Sequence, residues 1–520
     1  MPYNIDINSS RDIYITRLLS IDTLHDAYHT LARTLAKKSD CELYLVDDTL
    51  SPRLHYMSPQ REKIKPFLKA LMEGDYHFAI KYKNKKKVFY TTRNFSLNDV
   101  DYESISSFKI YVRVYSKSTG FMLFASRVAL VVDFWREDIG VYTANDYTEV
   151  ATMIASSNFL DHTTSLSINN LTIPCLKTYL EVHNTALNNP VDIVYTWVDD
   201  TDKKWLRKKD KRLRHYEGYI SPTATDKTRF QNNNELLYSL RSVLTYLKGI
   251  HNIYIVTDNQ IPSFLFPKDK RIKIIDHKDI FKDVSHLPSF SSRGIESQIH
   301  RIRGLSKRYL YFNDDIFIGR ANSMSIFFDN YGHAKCFYSK FTVIPATHND
   351  KVYSPVDNAA INNRDILKEK YGISVYKKFQ HTPVPVLRKV MIKMEKEFPD
   401  LFEFTASKPI RTNDGYSLCG AFYYHYGLIK GHVHPAILRY SYLSLGSDTF
   451  PVKIKRVLAK KESKRFDVIC VNSVTTTDTY QRDVTLFQNI FFTYFPCAGE
   501  WEKKKVIKKL KVVQKNINLG

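Results

Sequence analysis

The sequence predicts an α/β protein, in which a larger domain built on a mostly parallel sheet follows a smaller α+β domain. Two observations carry this prediction. From Pro190 onward, apolar strand-like segments alternate with amphipathic helices, whereas residues 1–186 combine one helical segment with hairpin-like segments. Strands that alternate with helices form parallel sheets, because each helix crosses back over the face of the sheet.

The composition is that of a basic globular protein. The chain has 520 residues, an apolar fraction of 43% and a formal net charge of +23. Such a charge favours polyanions, which include nucleic acid, an anionic membrane face and phosphorylated substrates. Because the sequence has no RNP-like motif, zinc-finger spacing or heptad zipper, we do not expect nucleic acid to be the partner.

The cysteines and the apolar segments indicate a cytoplasmic protein. No two of the six cysteines have C-x-x-C spacing, which is typical of isolated thiols in a reducing compartment. The opening "MPYNIDINSSRDIYITRLLS" has no apolar h-region. The longest apolar run, residues 120–135, contains Arg127 and Asp133 and is too short to span a bilayer.

Three regions follow from these patterns. Residues 1–186 form an accessory α+β domain, with a helix over 21–38 and a hairpin over 77–93. Residues 187–498 form the second domain, after the break in "NTALNNP". Residues 499–520 form a basic amphipathic tail, which suits either a solvated helix or the inner face of a membrane.

Aspartates end four apolar segments of the second domain. They are Asp199, Asp258, Asp276 and the Asp314–Asp315 pair, which interrupts the apolar stretch "YLYFNDDIFIG". The carboxyl ends of parallel strands share one edge of the sheet, where ligands bind. Clustered carboxylates favour Mg²⁺ or Mn²⁺. The alternative for the NDD motif alone is a capped turn, since Asn and Asp favour turns.

Other motifs are ambiguous on spacing alone. "RFQNNNELLYSLRS" contains Arg229, Asn233 and Arg241, and it fits a helix cap and an anion site about equally well. Glu296, His300 and Arg303 have the spacing of one helix face, for which a solvated salt-bridged surface is the favoured interpretation.

The joint pattern is far more specific. The segments "DIVYTWVDDTD", "RFQNNNELLYSLRSV", "IYIVTDNQIPSFL", "IIDHKDIF" and "LPSFSSRGIESQIHRIRGLSKRYLYFNDDIFIGR" together resemble the Stealth family. Looser similarity covers 358–496, where the segments from His381 to Leu428 and from Ile469 to Pro496 are similar to the third and fourth blocks of that family.

The resemblance implies a function and a set of residues. Family members have a glycosyltransferase-A-like (Rossmann-like) α/β core and need a divalent metal. They transfer a sugar-1-phosphate from a nucleotide-diphosphate sugar to an acceptor hydroxyl. Their functional positions fall here on the residues Glu296, Asn313, Asp314, Asp315, His381 and Arg411, with Asp199 in the first block. Asn234 stands where many members have glycine, and "RTNDG" has one acid where relatives often have two.

These elements combine into one expected mechanism. A Mg²⁺ or Mn²⁺ ion held by Asp315, with Asp314 or Asp199, bridges the pyrophosphate, and Arg411 with Arg229 or Arg241 covers the remaining charge. His381 or Glu296 takes the proton of the acceptor hydroxyl. The bacterial members imply a saccharide acceptor in capsule or exopolysaccharide synthesis. The rivals are a metal-dependent glycosyltransferase that releases a nucleoside diphosphate and a non-enzymatic polyanion- or membrane-binding protein.

Overall fold

The computed structural model describes most of the chain from residue 189 onward and separate stretches before it. The later part comprises residues 189–503, apart from 219, 221, 227–228, 267–269, 330, 345–352, 460–464, 474–477, 497–498 and 500. The earlier stretches are 12–15, 21–39, 43–47, 53–56, 61–73, 77–82, 88–90, 95–111, 113–116, 122–124, 129–144, 153–157, 159–168 and 171–181.

The chain divides into two compact units. The first contains Met1–Asn188 with the short segments Leu244–Lys248 and Lys461–Lys464, and the second contains the remainder. In the described stretches of the first unit, α1 (Ile21–Ser39) and α2 (Lys65–Glu73) are helices, and residues 177–181 are helical as well. Its strands are β1 (Asp12–Ile15), β2 (Tyr44–Asp47), β3 (Arg53–Tyr56), β4 (His77–Tyr82), β5 (Val88–Tyr90), β6 (Ile105–Tyr111), β7 (Arg113–Ser116), β8 (Met122–Phe124), β9 (Leu130–Phe134), β10 (Arg136–Asp138), β11 (Val141–Thr143), β12 (Met153–Ala155), β13 (Thr163–Ile168) and β14 (Leu171–Leu176).

An eight-stranded mixed sheet organises the first unit. Its strand order is β13-β14-β2-β3-β9-β6-β4-β5. The predicted hairpin is present, since β4 and β5 pair antiparallel with Phe78 opposite Tyr90. Every residue of β9 is buried, which agrees with the continuous apolar run in that segment.

Strands and helices alternate in the second part of the chain. The helices are α3 (Lys203–Arg214), α4 (Pro222–Thr225), α5 (Glu235–Tyr246), α6 (Ser292–Glu296), α7 (Pro355–Tyr371), α8 (Arg388–Glu397), α9 (Pro399–Ser407), α10 (Tyr423–Ile429), α11 (Phe450–Ala459) and α12 (Tyr480–Tyr494). The strands are β15 (Val191–Thr196), β16 (Leu247–Lys248), β17 (Ile250–Thr257), β18 (Ile272–Asp276), β19 (Arg308–Asn313), β20 (Ile316–Ile318), β21 (Asn322–Ser323), β22 (Ala334–Cys336), β23 (Tyr338–Thr342), β24 (Lys377–Phe379), β25 (Val384–Leu387), β26 (Val433–Pro435), β27 (Tyr440–Leu445) and β28 (Val468–Ser473).

The main sheet of the second unit confirms the predicted α/β fold. Its order is β18-β17-β15-β19-β25, in which the first four strands are parallel and β25 is antiparallel. The chain therefore runs outward from β15 to β17 and β18, and then returns to place β19 on the other side of β15. This reversal makes the carboxyl ends of β15 and β19 a topological switch point, where α/β sheets bind ligands.

Two smaller features complete the framework around this point. Strand β20 belongs to another sheet, with the order β20-β28-β27. Gly319 follows β20 directly, and a Cβ atom there would lie 2.5 Å from the carbonyl oxygen of Phe466. Only glycine fits so close to a neighbouring backbone, which accounts for the glycine that ends "YLYFNDDIFIG".

The structure differs from the sequence prediction in two places. The predicted helix over 293–305 ends at Glu296, and a separate 3₁₀ turn covers Ile299–Arg301. Helical spacing therefore does not relate Glu296 to His300, whose Nε2 lies 2.8 Å from Glu395. The predicted tail also begins too early, because Trp501 and Glu502 are buried and Leu265 forms a β-bridge with Glu502.

The rest of the predicted tail, residues 504–520, lies outside the described residues. Among the helices in the described part of the chain, none combines the length and the apolarity needed to cross a bilayer.

Candidate active site

The NDD motif forms the turn that joins two sheets. Asn313 ends β19, and Asp314 and Asp315 form the turn before Ile316 begins β20. Strand β28 holds this turn from the other side. Asn472 donates through Nδ2 to Asp315 Oδ2 over 2.7 Å, and the backbone N–H of Val471 donates to the carbonyl of Asp315 over 3.0 Å. Strand β19 is therefore followed directly by Asp314 and Asp315 because these residues form the turn between the two sheets.

His381 faces this turn. Its Nε2 lies 3.5 Å from Asp315 Oδ1, and Asp315 Oδ1 makes no hydrogen bond within the described part of the chain. Asn313 Nδ2 lies 3.1 Å from the same ring nitrogen. The His381 side chain is 37% exposed, whereas that of Asp315 is 13% exposed. His381 is therefore the group of this pair that an external hydroxyl can reach.

A hydrogen-bonded chain connects His381 to Glu296. Tyr311 donates to Asn313 Oδ1 over 2.7 Å and also lies 3.1 Å from Glu296 Oε1. One hydroxyl proton cannot serve both acceptors at once. Burial raises the pKa of Glu296, although Arg411 opposes the shift, and a protonated Glu296 can donate to Tyr311 instead. Glu296 is buried, and Tyr311 connects it to Asn313.

Opposing influences set the protonation of His381. Burial lowers its pKa, but the negative charge of Asp315, with that of Glu296, outweighs burial, so the pKa is raised above 6.5. Arg411 acts with burial and lowers it. In the absence of a metal, Asp315 and Glu296 therefore favour the protonated form of the His381 ring.

Glu235 joins the two aspartates in an acidic cluster. Burial raises the pKa of Asp314, and the nearby Glu235 and Asp315 raise it further. Burial also raises the pKa of Glu235. Asn233 holds Glu235 in place, because its backbone N–H and its Nδ2 donate to the carboxylate over 2.6 and 2.8 Å. Such a concentration of acid groups favours a bound cation.

The asparagine run has a conformational role as well. Asn234 has a φ of +68°, a left-handed conformation that glycine adopts freely and asparagine tolerates. This geometry explains how asparagine can replace the glycine that the family resemblance led us to expect. Asn233 is buried, and its other partners are Tyr480 and Gln488, so it positions Glu235.

Three guanidinium groups lie near one another, and two of them, those of Arg411 and Arg293, act on Glu296. Arg411 donates through Nε to Ser292 Oγ over 3.0 Å, and Arg293 donates to the carbonyl of Pro355 over 2.6 Å. Burial and the charge of Arg411 lower the pKa of Arg293 to about 9 and that of Arg229 to about 10. Guanidinium keeps its proton at neutral pH, so these groups stay charged although they are largely buried, and their mutual repulsion adds to the effect of burial. The cluster favours an anion such as a pyrophosphate.

Arg241 is placed elsewhere, and its predicted contact with substrate is at odds with the structure. Its side chain is fully buried, and its Nε and Nη2 donate to the carboxylate of Glu502 over 2.8 and 2.7 Å. Nη1 donates to the carbonyl of Phe495 over 3.0 Å. Arg241 therefore joins the C-terminal segment to helix α5.

This pair gives a stability prediction. We expect Glu502→Ala to lower the free energy of unfolding by about 3–5 kcal/mol, because it leaves the Arg241 charge buried without its partner. The double variant Arg241→Met with Glu502→Leu should regain most of this loss. Urea denaturation measures both. Turnover of the double variant at low temperature should match that of the unmodified protein, and a specific loss of turnover would restore the substrate role of Arg241.

The other strand-terminal aspartates do not join Asp315. Asp199 accepts from the N–H and the hydroxyl of Thr201 over 3.0 and 2.7 Å, so its carboxylate caps a turn. Asp258 pairs with Lys208 at 3.0 Å, and Asp276 caps a 3₁₀ helix. The strand ends do share one edge, as predicted. The prediction that these aspartates gather in one crevice, with Asp199 as a possible metal ligand, was wrong, because Asp199, Asp258 and Asp276 have other partners.

The donor set beside His381 fits a divalent metal. Asp315, His381 and Cys470 each offer a ligand atom, and these atoms lie within 4.8 Å of one another. Asp315 Oδ1, which lacks a hydrogen-bond partner among the described residues, is a suitable oxygen ligand. Burial and Asp315 raise the pKa of Cys470 well above its ordinary value, so Cys470 is a thiol as long as no metal is bound. A carboxylate oxygen such as that of Asp315 suits Mg²⁺ or Mn²⁺, whereas an imidazole ligand is more typical of zinc, copper, iron or nickel.

The sequence prediction missed several residues of this site. Tyr311 could have been found, since it lies two positions before Asn313 and side chains two apart share one face of a strand. Arg293 stands in the quoted segment "SSRGIES", three residues before Glu296. Cys470 and Asn472 lie in the fourth block, and no spacing in the sequence relates them to Asp315.

The fold and the site define a class of α/β proteins with an acidic metal-binding turn and an arginine cluster at a switch point. Comparison with known families agrees. The regions described as Stealth protein CR1, CR2 and CR3 match residues 189–217, 229–336 and 380–428. The chain belongs to the Stealth family, as the resemblance predicted.

Its relatives include named phosphotransferases. The chain is 33% identical over 332 residues to capsular polysaccharide phosphotransferase fcs1 of Haemophilus influenzae, covering 60% of this chain and 87% of that protein. It is 35% identical over 317 residues to exopolysaccharide phosphotransferase SCO2592 of Streptomyces coelicolor, covering 60% and 33%. Exopolysaccharide phosphotransferase CpsY of Mycobacterium tuberculosis is 33% identical over 337 residues, covering 64% and 61%. The chain thus spans between a third and three fifths of the Streptomyces and Mycobacterium proteins.

Solved glycosyltransferase structures overlap with the chain only weakly. The galactosyltransferase LgtC, in complex with donor and acceptor sugar analogues, gives a TM-score of 0.29 at 12% identity and covers 58% of this chain and 95% of that one. Mouse xyloside xylosyltransferase 1 gives 0.27 at 10% identity and covers 56% and 99%. Scores this low carry no argument, so the fold description depends on the strand order alone.

Proposed function

We propose that this protein transfers a sugar-1-phosphate from a nucleotide-diphosphate sugar to a hydroxyl of a saccharide acceptor. The products are a phosphodiester and a nucleoside monophosphate, and the setting is capsule or exopolysaccharide synthesis. The observation that carries the proposal is the chain of contacts from Asp315 through His381, Asn313 and Tyr311 to Glu296, with arginines at its end. The names of the phosphotransferase relatives support it.

The role of each site residue follows from its charge and from its accessibility to substrate. The guanidinium groups of Arg411 and Arg229 bind the pyrophosphate and neutralise the charge that develops on the leaving nucleotide, and the buried Arg293 adds positive charge behind them. The exposed ring of His381 accepts the proton of the attacking hydroxyl. Glu296 fixes Tyr311 and thereby the orientation of Asn313 and His381. Its burial is why we assign the base to His381 and not to Glu296.

Asp315 would hold a divalent metal through its carboxylate, and Mg²⁺ or Mn²⁺ fits such an oxygen ligand, while His381 stays off the metal so that its ring can accept a proton. When bound, such an ion supplies Lewis-acid neutralisation of the pyrophosphate oxygens. Asp314 and Glu235 add negative charge behind this position. Whether Asp314 is a ligand or supports the turn is decided by a metal titration of Asp314→Asn.

A basic cleft beside the site offers room for the nucleoside. It has a volume of about 670 Å³ and lies at the carboxyl ends of β17 and β18, where Lys208, Arg212, Lys278, Asp258 and Asn259 line it. Two to three strand spacings separate these ends from β19, which is roughly 10–15 Å. We propose that the five-stranded sheet is the glycosyltransferase-A-like core that the family resemblance implies.

The released nucleotide tests the proposal. Purified protein, Mg²⁺, a saccharide acceptor and a panel of uridine-, guanosine- and cytidine-diphosphate sugars should yield a nucleoside monophosphate, resolved by anion-exchange chromatography, together with a phosphodiester on the acceptor. Release of a nucleoside diphosphate would instead identify a glycosyltransferase that attacks the anomeric carbon. A chain that turns over no donor with any metal, but binds duplex DNA or anionic vesicles in a salt-sensitive way, would be a polyanion-binding protein.

A further inference from the structure

A two-stranded ribbon leads directly into His381. Strand β23 (Tyr338–Thr342) pairs antiparallel with β24 (Lys377–Phe379), with Tyr338 opposite Phe379 and Thr342 opposite Lys377. Only Gln380 separates β24 from His381, and its backbone N–H donates to the carbonyl of Phe337 over 2.8 Å. The ribbon is therefore continuous with the exposed side of the candidate active site.

The inner part of the ribbon is packed. The ring of Phe379 stacks on Tyr338 with centroids 5.3 Å apart, and it also contacts the buried rings of Tyr424 and His425 at 4.6 and 4.8 Å. Lys378 forms an ion pair with Asp357 at 2.5 Å. These contacts fix the ribbon, so a ligand bound to it loses little to reorganisation of the protein.

The outer part exposes aromatic and basic side chains. Phe341 is 74% exposed and Tyr376 is 63% exposed. The N–H of Val343 donates to the carbonyl of Tyr376 over 2.8 Å, which joins the segments that carry the two rings. Lys340 and Lys377, next to them in sequence, are also exposed. A ribbon that leaves large rings in solvent and also exposes cations indicates a binding surface for a ligand that has both apolar faces and negative charge.

We propose that this acceptor ribbon, residues 338–343 and 376–379, binds an oligosaccharide that already carries phosphodiesters. The rings of Phe341 and Tyr376 pack against sugar faces, and Lys340 and Lys377 bind a phosphodiester. This inference rests on the proposed function, since each transfer would leave one more phosphodiester in the acceptor. Tyr376 is five residues before His381, at most about 17 Å of extended chain, which is the length of a short oligosaccharide.

Affinity electrophoresis tests the ribbon without catalysis. Full-length protein runs through gels that contain phosphomannan or the same mannan after dephosphorylation. We expect the unmodified protein to be retarded by phosphomannan more than by mannan. Phe341→Ala with Tyr376→Ala should weaken binding to both polymers at least 10-fold. Lys340→Gln with Lys377→Gln should abolish the preference for phosphomannan. Tyr331→Ala, a tyrosine that is 89% exposed in another turn, is the matched control and should change neither.

Kinetics separate this inference from the proposed function. The aromatic double variant should raise the acceptor KM at least 10-fold with kcat retained, and donor cleavage without acceptor should be unchanged. If the acceptor KM and the binding to phosphomannan both match those of Tyr331→Ala, the ribbon is not the acceptor site even though nucleoside monophosphate is released. If the unmodified protein releases none, the proposed function fails and electrophoresis alone decides whether the ribbon binds a phosphorylated saccharide.

Discussion

Asp315→Asn is expected to lower turnover about 1,000-fold or more. The variant keeps the shape of the side chain and can still accept from Asn472, but it removes the charge beside His381 and the best metal ligand of the site. Steady-state release of nucleotide measures the effect, and titration with Mn²⁺ should show weaker binding of the ion.

The stability of the metal-free Asp315→Asn variant should not fall with its turnover. Asp315 lies in a cluster with Asp314 and Glu235, and the mutual repulsion of these groups opposes folding when no metal is bound. The metal-free Asp315→Asn variant should therefore unfold at an equal or higher urea concentration than the unmodified protein. Asp400→Asn, an exposed aspartate of helix α9, is the control and should leave turnover unchanged. Turnover within a factor of two in Asp315→Asn would refute the assignment.

His381→Gln is expected to lower kcat about 100- to 10,000-fold with little change in the donor KM, because glutamine cannot take up the proton of the acceptor hydroxyl. His434→Gln is a matched control. The side chain of His434 is 41% exposed and lies 3.2 Å from Asp329, as His381 is 37% exposed and lies 3.5 Å from Asp315. If both variants lose activity equally, the loss reflects the fold and not the chemistry.

The pH behaviour of His381 gives a second measure of the same residue. In the metal-free protein, its NMR titration midpoint should lie above 6.5, because Asp315 and Glu296 together favour the charged ring more than burial and Arg411 disfavour it. Asp315→Asn removes the main raising influence and leaves burial and Arg411, so the midpoint should fall. An unchanged midpoint would show that Asp315 does not act on this ring.

The sequence could predict the parallel sheet and the turn at Asp314 and Asp315, because both depend on patterns of neighbouring residues. Strand β19 is apolar until Asn313, and the acids after it can only occupy a turn or bind a ligand. Family resemblance then singled out Glu296, His381 and Arg411. The helix assigned to 293–305 was wrong, since periodicity of apolar residues does not reveal where a short helix gives way to a 3₁₀ turn.

Contacts between distant segments were beyond such reasoning. Arg241 and Arg229 flank the same motif, yet one pairs with Glu502 in the core and the other lies near Arg411. Sequence spacing is silent on partners 261 residues away. The prediction for the three remaining strand-terminal aspartates was wrong for a related reason. Asp199 accepts from a threonine hydroxyl, Asp258 pairs with a lysine, and Asp276 accepts from a backbone N–H.

The hydrogen bonds from strand β28 to the NDD turn also affect the order in which the nascent chain folds. Asn472 is 157 residues after Asp315, so the aspartate leaves the ribosome long before its partner does. Contacts of such sequence separation form late in folding. A nascent chain would therefore complete its parallel strands while the corner that carries Asp315 still lacks the sheet that fixes it. Catalytic competence would appear only when synthesis has passed the fourth block, so a prematurely terminated chain would remain inert.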